Sequence, residues 1–504
     1  MRAALRRCAV AGPPPRRALS SAAAVDDRLL ASLEAVCDTS TNASILARHG
    51  KDESHHACVP PDVVAFPAST AEVSALLRLC HERRTPVVPF GVGTSLEGHV
   101  QAPRGGLSID VGAKMTAMLE ENAGDMDCRA EAGATRKAVN AALRHTGLEF
   151  MVDPGADATV GGMAACGASG TTAVRYGTMR DAVLGLTVVL ADGTVLETGG
   201  RARKSSAGYD LTRLFIGSEG TLGVITEVAL ALHPAPSHVS AATVRFETLA
   251  AAVEAVEGLR LHGVPVARCE LLDATTLAAF NAYNAGVAGF SPQPLAPSLF
   301  LEFHGMSAAR DTHLRPFRRE VFRCMSAANV EEQADVARAV AEDCGGSDFA
   351  WSADEGERNR LWAARHSTYY ASLALKQDGR AVVTDACVPL SALADVVERT
   401  AADVAAAGVV GPIFGHAGDG NFHCILVYND DDDADYLARL HGVNAKLVAR
   451  AIDAGGTCTG EHGVGAGKKA YVLQERGPAA VGAMRAVKAA LDPRGIMNPG
   501  KIFD

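Results

Sequence analysis

Three glycine-rich segments in the first half of the chain limit its fold more than any other feature. They read FGVGTSLEG at 90–98, DPGADATVGGMAACGASGTTAVRYGTMRDAVL at 153–184 and IGSEGTLGVIT at 216–226. Stretches with strand patterning adjoin them, among them TPVVPF, VLGLTVVL and GVITEVALALHP. Glycine lets a backbone approach a ligand closely, and successive N–H groups in such loops can cradle a pyrophosphate. One such loop is ordinarily a tight turn. Three in one domain, between strands, point to a shared nucleotide cradle. A Rossmann crossover does not supply it, because no strand–GxGxxG–helix unit stands near the start. GVGAGKK at 463–469 lacks the P-loop spacing and the Ser or Thr after Lys468, so it is not a phosphate loop of that kind.

The length of 504 residues allows two or three domains with at least one large core. A net charge of −10 argues against a nucleic-acid partner. No run of 18 apolar residues occurs, so no membrane span is expected. The 12 cysteines form no CxxC pair, and they read as reduced, mostly buried thiols instead of a disulfide framework. Residues 1–25 are Arg-rich and free of acids, with a Ser/Ala-rich end. That is the composition of a mitochondrial transit peptide, with a chloroplast peptide or an incidental tail as alternatives.

The HPAPS segment at 233–237 marks a boundary. Residues 26–236, with a core at about 55–236, form the glycine-rich domain. Residues 237–445 alternate strand and helix patterns as a second α+β unit, and 446–504 form a C-terminal segment. No internal repeat is visible. TAEVSALLRLCHERR at 70–84 reads as a helix with Thr70 as a cap and Val73, Leu76, Leu77 and Cys80 on its apolar face.

A second motif lies late in the chain: GHAGDGNFH at 415–423, followed by GEHGVG at 460–465. Read as a hairpin, the first puts His416 at the end of one strand and His423 at the start of the return. The two imidazoles can then face each other about 5 Å apart. With Glu461 as a third ligand they suit zinc or manganese, with one coordination position open for substrate. The residues alone leave structural or hydrogen-bonding roles equally open for both histidines. His462 is a candidate general base or a positioning histidine. Asn421 could hydrogen-bond a substrate, orient a ligand or simply form the turn, and Asp419 suits the turn.

The segments PFGVGTSLEGH, VDPGADATVGGMAACGASGTTAVRYGTMRDAVLGLTVVLADG, RKSSAGYDLTRLFIGSEGTLGVITEVALALHPAP, FGHAGDGNFH, GEHGVGAGK and MNPGKIF resemble those of the vanillyl-alcohol-oxidase-type flavoproteins. That group includes mitochondrial FAD-dependent D-lactate dehydrogenases, D-2-hydroxyglutarate dehydrogenases and glycolate dehydrogenase flavin subunits. The resemblance covers about residues 60–504. It implies an α+β fold: a vanillyl-alcohol-oxidase/PCMH-type FAD-binding domain over 26–236, a ferredoxin-like substrate (cap) domain over 237–445, and a C-terminal helical segment returning to the flavin.

By the same resemblance, Gly91, Gly93, Thr94 and Ser95 would hold the FAD pyrophosphate. Pro154, Gly155, Gly161, Gly162, Ser169 and Gly170 would run beside the ribityl chain and ring. Glu219, Gly220, Gly223 and Ile225 would meet the adenine side, and Asn498 would return to the ring. Thr94 stands where covalently flavinylated relatives carry a histidine, so non-covalent FAD is expected. His416, His423 and Glu461 would hold a divalent metal, zinc or manganese, with His462 as base. Arg365 would clamp the substrate carboxylate. Arg380, where relatives place a lysine, could neutralise a second charge.

The implied activity is oxidation of D-lactate to pyruvate in the mitochondrion, with electrons passed to cytochrome c or another redox carrier. D-2-hydroxyglutarate, glycolate and larger D-2-hydroxy acids are rival substrates. A metal hydrolase built on His416, His423 and Glu461 would leave the glycine-rich loops unexplained. A non-catalytic flavin-binding subunit is a third possibility.

Overall fold

The computed structural model describes residues 25–287, 290, 292–305 and 316–503, with backbone alone at 316–326 and 364. The expected transit peptide lies, but for residue 25, outside the described residues.

The glycine-rich domain contains two sheets. In the first, strands Val63–Phe66, Leu107–Asp110 and Val87–Phe90 run parallel, with Asp38–Ser40 antiparallel at one edge. The second is antiparallel, in the order Met118–Asn122, Asp127–Glu131, Val224–Ala231, Val183–Val189, Val195–Glu197. Helix Thr70–Arg83 packs on the second sheet through Val73, Leu76, Leu77 and Cys80, all fully buried. Its cap is Ser69, one residue before the expected Thr70: the Ser69 hydroxyl accepts from the Glu72 N–H at 3.2 Å. Ser69 holds the extended backbone that an N-cap needs, and Thr70 is already helical. Among the described residues every cysteine is a free thiol.

The second domain is the ferredoxin-like unit expected, and it occurs twice. Strand Val239–Arg245, helix Leu249–Leu261, strands Val266–Leu272 and Ser298–His304, helix Pro316–Asp343 and strand Ser347–Ser352 form one unit. Its antiparallel strands stand in the spatial order 4-1-3-2. A second unit follows: strand Ala386–Cys387, helix Leu390–Ala407, strands Ile413–His416 and Asn421–Tyr428, helix Ala434–Asp453, and Thr457 bridging back onto Cys387. The units join edge to edge, Val266–Leu272 against Ile413–His416, which makes one eight-stranded sheet. The repeat is one of connectivity and alternation, not of residue identity, so the sequence shows none. The division expected at 445 falls inside helix Ala434–Asp453, because the second unit runs on to Thr457.

The C-terminal helix Lys469–Leu491 breaks at Gly477, whose φ of 74° precedes Pro478. The tail then returns to the first domain. The Asn498 N–H donates to the Val87 carbonyl at 2.7 Å, and Lys501 Nζ to the Gln101 carbonyl at 2.8 Å.

Arg268 ties the two domains together. Its guanidinium donates to Asp153 in the first domain at 3.0 Å and to Glu302 in the second at 3.1 Å, and it lies 4.8 Å over the Trp362 ring. Both carboxylates are buried. Arg268→Met removes their shared partner, and a broken buried pair typically costs about 3–5 kcal/mol. We expect the urea midpoint to fall accordingly. An unchanged midpoint would show that the domains are held by other contacts, such as Arg175 on the Pro265 and His304 carbonyls.

Candidate active site

One cavity opens between the two domains. Apart from Gly170, every flavin-side residue named from the sequence lines it, so the three glycine-rich loops do converge. The glycines are required by close packing. A Cβ on Gly91 would strike Thr159 Oγ1, and one on Gly161 would stand 2.5 Å from the Ala132 Cβ. Gly170 serves the wall from behind, since a Cβ there would run into the Asp153 backbone. Gly155 faces open space, and Met163, Val224 and Ile225 give this stretch an apolar surface. A long cavity walled by bare backbone and apolar side chains fits an extended dinucleotide with a flat ring system.

The second motif lies at the same cavity. His416 ends its strand, a single 3-10 turn spans Ala417–Asp419, and His423 sits in the return strand. The register places Phe414, not His416, opposite His423. The two histidines are therefore diagonal neighbours on one face, with ring centroids 5.6 Å apart. Their Nε2 atoms converge on Glu461 Oε1, at 3.1 Å from His416 and 3.2 Å from His423. His462 stacks on His423 at 4.9 Å, with its Nε2 at 3.8 Å from the same oxygen.

The remaining nitrogens of the pair are already used. His416 Nδ1 donates to Glu270 at 2.7 Å, and His423 Nδ1 to the Thr384 carbonyl at 3.1 Å. Both Nε2 atoms thereby face Glu461, the arrangement that metal-ligating histidines require. Two imidazoles and a carboxylate oxygen meeting at one point fit a divalent ion.

Charge is concentrated here. Burial raises the Glu461 carboxyl, but His416 and His423 beside it hold it far below the usual range. Burial lowers His416, but Glu270 and Glu461 on either side raise it well above its ordinary value. Burial also lowers His462, to about 4 against the partial opposition of Asp385, so its imidazole is neutral at physiological pH. Asp385 Oδ2 accepts from the Glu461 and His462 N–H groups at 2.9 and 2.8 Å and from Thr459 Oγ1 at 2.8 Å. With its lone pairs so engaged, Asp385 supports the site more than it offers a fourth ligand.

Arg365 lines the cavity and lies 4.8 Å over the Phe414 ring. Its Nε donates to Glu270 at 3.0 Å, and its Nη2 to the same oxygen. His366, the next residue, also lines the cavity. Asn421 does not reach the cavity wall: its amide donates to Asp385 at 2.9 Å, which makes it a support of the site. Arg380 does not join the site either. It is exposed and paired with Asp430, because it opens an edge strand whose end points to solvent. Among the described residues lining the cavity, Arg365 is the one arginine or lysine.

Sequence reasoning missed Glu270, Asp385 and Thr384. Glu270 carried a signal, as an acid within the otherwise apolar CELL of a buried strand. Glu219 lines the cavity with a φ of 52°, and its side chain pairs with His99, also in the wall, at 3.2 Å. It accepts from the Val464 and Gly465 N–H groups at 2.6 and 2.8 Å.

Comparison with known proteins agrees with this geometry. Residues 61–199 match the family model "FAD binding domain", and 235–502 match "FAD linked oxidases, C-terminal domain". A Danio rerio protein named probable D-lactate dehydrogenase, mitochondrial, is 46% identical over 97% of this chain and 94% of its own length. An Arabidopsis thaliana D-lactate dehydrogenase [cytochrome], mitochondrial, is 40% identical over 90% of this chain and 76% of its own. In fold, 4-ethylphenol oxidase from Gulosibacter chungangensis superposes with a TM-score of 0.72 at 18% identity, covering 94% of this chain and 96% of that one. The chain belongs to the FAD-linked oxidases, and its cofactor is FAD. The metal hydrolase reading is thereby set aside.

The buried His99–Glu219 pair locks the 460–468 loop to the first domain, and it supplies a pH test. Burial lowers His99, but Glu219 and the carboxylates of Asp52 and Glu97 raise it above its ordinary value. A raised folded-state value contributes stability that is fully present below the unfolded value of about 6.5 and is lost as pH rises through the folded one. The stability advantage of wild type over His99→Gln should therefore be largest below about pH 6.5 and shrink as pH rises through the raised folded-state value. Thermal unfolding of both proteins across that range checks it; an advantage that grows with pH would refute it.

Proposed function

We propose that this protein oxidises D-lactate to pyruvate. The coarser activity is plain: it is a mitochondrial FAD-dependent D-2-hydroxy acid dehydrogenase, as its named relatives and both FAD domains indicate. The observation that carries the finer reading is the convergence of three imidazoles on Glu461 beside a single guanidinium, at one end of the flavin cavity.

The chain's residues divide the work. Arg365 would bind the substrate carboxylate through charge-assisted hydrogen bonds. His416, His423 and Glu461 would hold a divalent ion. His462 Nε2, neutral because its ring is buried, would take the hydroxyl proton. When bound, FAD accepts the hydride that leaves C2, and a divalent ion supplies a Lewis acid that acidifies the hydroxyl. One proton and one hydride leave the 2-hydroxy acid, which becomes the 2-oxo acid. Val383, Phe414 and Ile425 surround these groups with apolar surface and exclude water.

Substrate choice follows from the same inventory. A dicarboxylate needs a second cation, and the next two cations after Arg365 in sequence are engaged elsewhere: Lys376 with Asp432, and Arg380 with Asp430. A monocarboxylate with a small apolar side chain suits the wall better. The relatives' cytochrome-type names make cytochrome c, or a similar carrier, the proposed electron acceptor.

The test is anaerobic mixing of purified holoprotein with D-lactate, L-lactate or D-2-hydroxyglutarate while the flavin absorbance is followed. Bleaching fastest with D-lactate is expected. Faster bleaching by D-2-hydroxyglutarate would move the substrate and keep the class. A second test separates the two arginines. Arg365→Ala should raise KM for D-lactate roughly 10- to 100-fold, the loss expected for a charged hydrogen bond. Arg380→Ala should leave KM unchanged. The reverse pattern would move the carboxylate clamp to Arg380.

A further inference from the structure

We propose that Glu270 is a positioning residue that sets the substrate anchor and one metal ligand at once; this rests on the function proposed above. Its side chain is fully buried in strand Val266–Leu272, the edge where the two ferredoxin-like units join. Each carboxylate oxygen has its own task. Oε2 receives Nε, at 3.0 Å, and Nη2 of Arg365, so it fixes one edge of the guanidinium and leaves the rest of the fork to the cavity. Oε1 receives Nδ1–H of His416 at 2.7 Å, which fixes the ring and leaves Nε2, the atom that would meet a metal, facing Glu461.

The join of the sheets makes this possible. Glu270 stands directly opposite His416 in the register, so one side chain reaches both groups without spanning a gap. The carboxyl cannot be replaced by its amide. Gln offers one acceptor and one donor, and the donor must face either the Arg365 N–H groups or the His416 N–H. A donor facing a donor, buried, leaves both unsatisfied.

The experiment compares holoprotein of wild type, Glu270→Gln and Glu270→Asp. Two quantities are read without turnover: the fraction of divalent metal retained against a chelator, measured by mass spectrometry, and the Kd for pyruvate from quenching of bound-flavin fluorescence. The flavin content of each variant reports whether its cavity has formed. In Glu270→Gln, metal affinity should fall about 10- to 100-fold, the usual effect of losing a ligand's orienting partner, and the pyruvate Kd should rise about tenfold as the fork loses its fixed edge. Glu270→Asp keeps the charge but withdraws it by one methylene, and it should show the same double loss. Wild-type constants in Glu270→Asp would reduce Glu270 to a buried countercharge and overturn the proposal. A lower pyruvate Kd in Glu270→Gln would make Glu270 a competitor for Arg365 and overturn it as well. Wild type that binds no metal would count against the function proposed above and against the His416 half, and the pyruvate constants would still decide the Arg365 half.

Discussion

The site depends on buried carboxylates that hold a loop with no regular structure. Residues 457–468 carry Glu461 and His462, yet no helix or strand positions them. Their backbone N–H groups must be satisfied all the same, since an unpaired buried N–H costs as much as a lost hydrogen bond. Asp385 takes those of Glu461 and His462, Glu219 those of Val464 and Gly465, and Glu475 that of Cys458. Asp385 belongs to the cap domain, Glu219 to the flavin domain and Glu475 to the C-terminal helix. Glu461 and His462 are therefore in place only when all three parts are assembled. Lys468 closes the arrangement, buried against Glu97 at 2.9 Å and 3.9 Å from Asp385.

Much of this was legible in the sequence, and the limits have a physical pattern. The glycine-rich loops were readable because glycine marks backbone that must come close to something, and they do share one cavity. GHAGDGNFH was readable as a hairpin because its Gly-Asp-Gly-Asn core cannot continue a strand. The pairing within that hairpin was not, since the 3-10 turn at 417–419 shifts the register and puts Phe414 opposite His423. Glu270 and Asp385 act on residues 146 and 77 positions away, and no local pattern encodes such distances. Arg380 shows the opposite error: it stands where relatives place a lysine, but its strand end faces solvent. Arg365 came from family likeness alone, and the structure then gave it a physical reason in Glu270.

The cap's two ferredoxin-like units explain why the site forms where it does. Each unit ends in an edge strand, and an unpaired edge is a row of unsatisfied backbone groups. Joining the edges removes both liabilities and brings Val266–Leu272 beside Ile413–His416. At this join Glu270, a side chain of the first unit, hydrogen-bonds His416 of the second.

Charge around the join sets what the cavity admits. Glu270 and Asp385 are buried and Glu461 nearly so, with Asp419 close by, its carboxyl pushed up to about 6 by burial. Arg365 answers Glu270, and Lys468 is shared between Glu97 and Asp385. What is left is Glu461 with its histidines, a set whose charge a divalent ion would balance. A single substrate carboxylate then has one guanidinium to meet. A second would enter among acids with no cation left to receive it, and the Coulomb penalty of an unpaired charge grows as the surroundings become less polar. Apolar Val383, Phe414 and Ile425 make them so. On the proposed function, the same burial that keeps His462 neutral would turn the cavity against dicarboxylates, and proton transfer and substrate choice would have one cause.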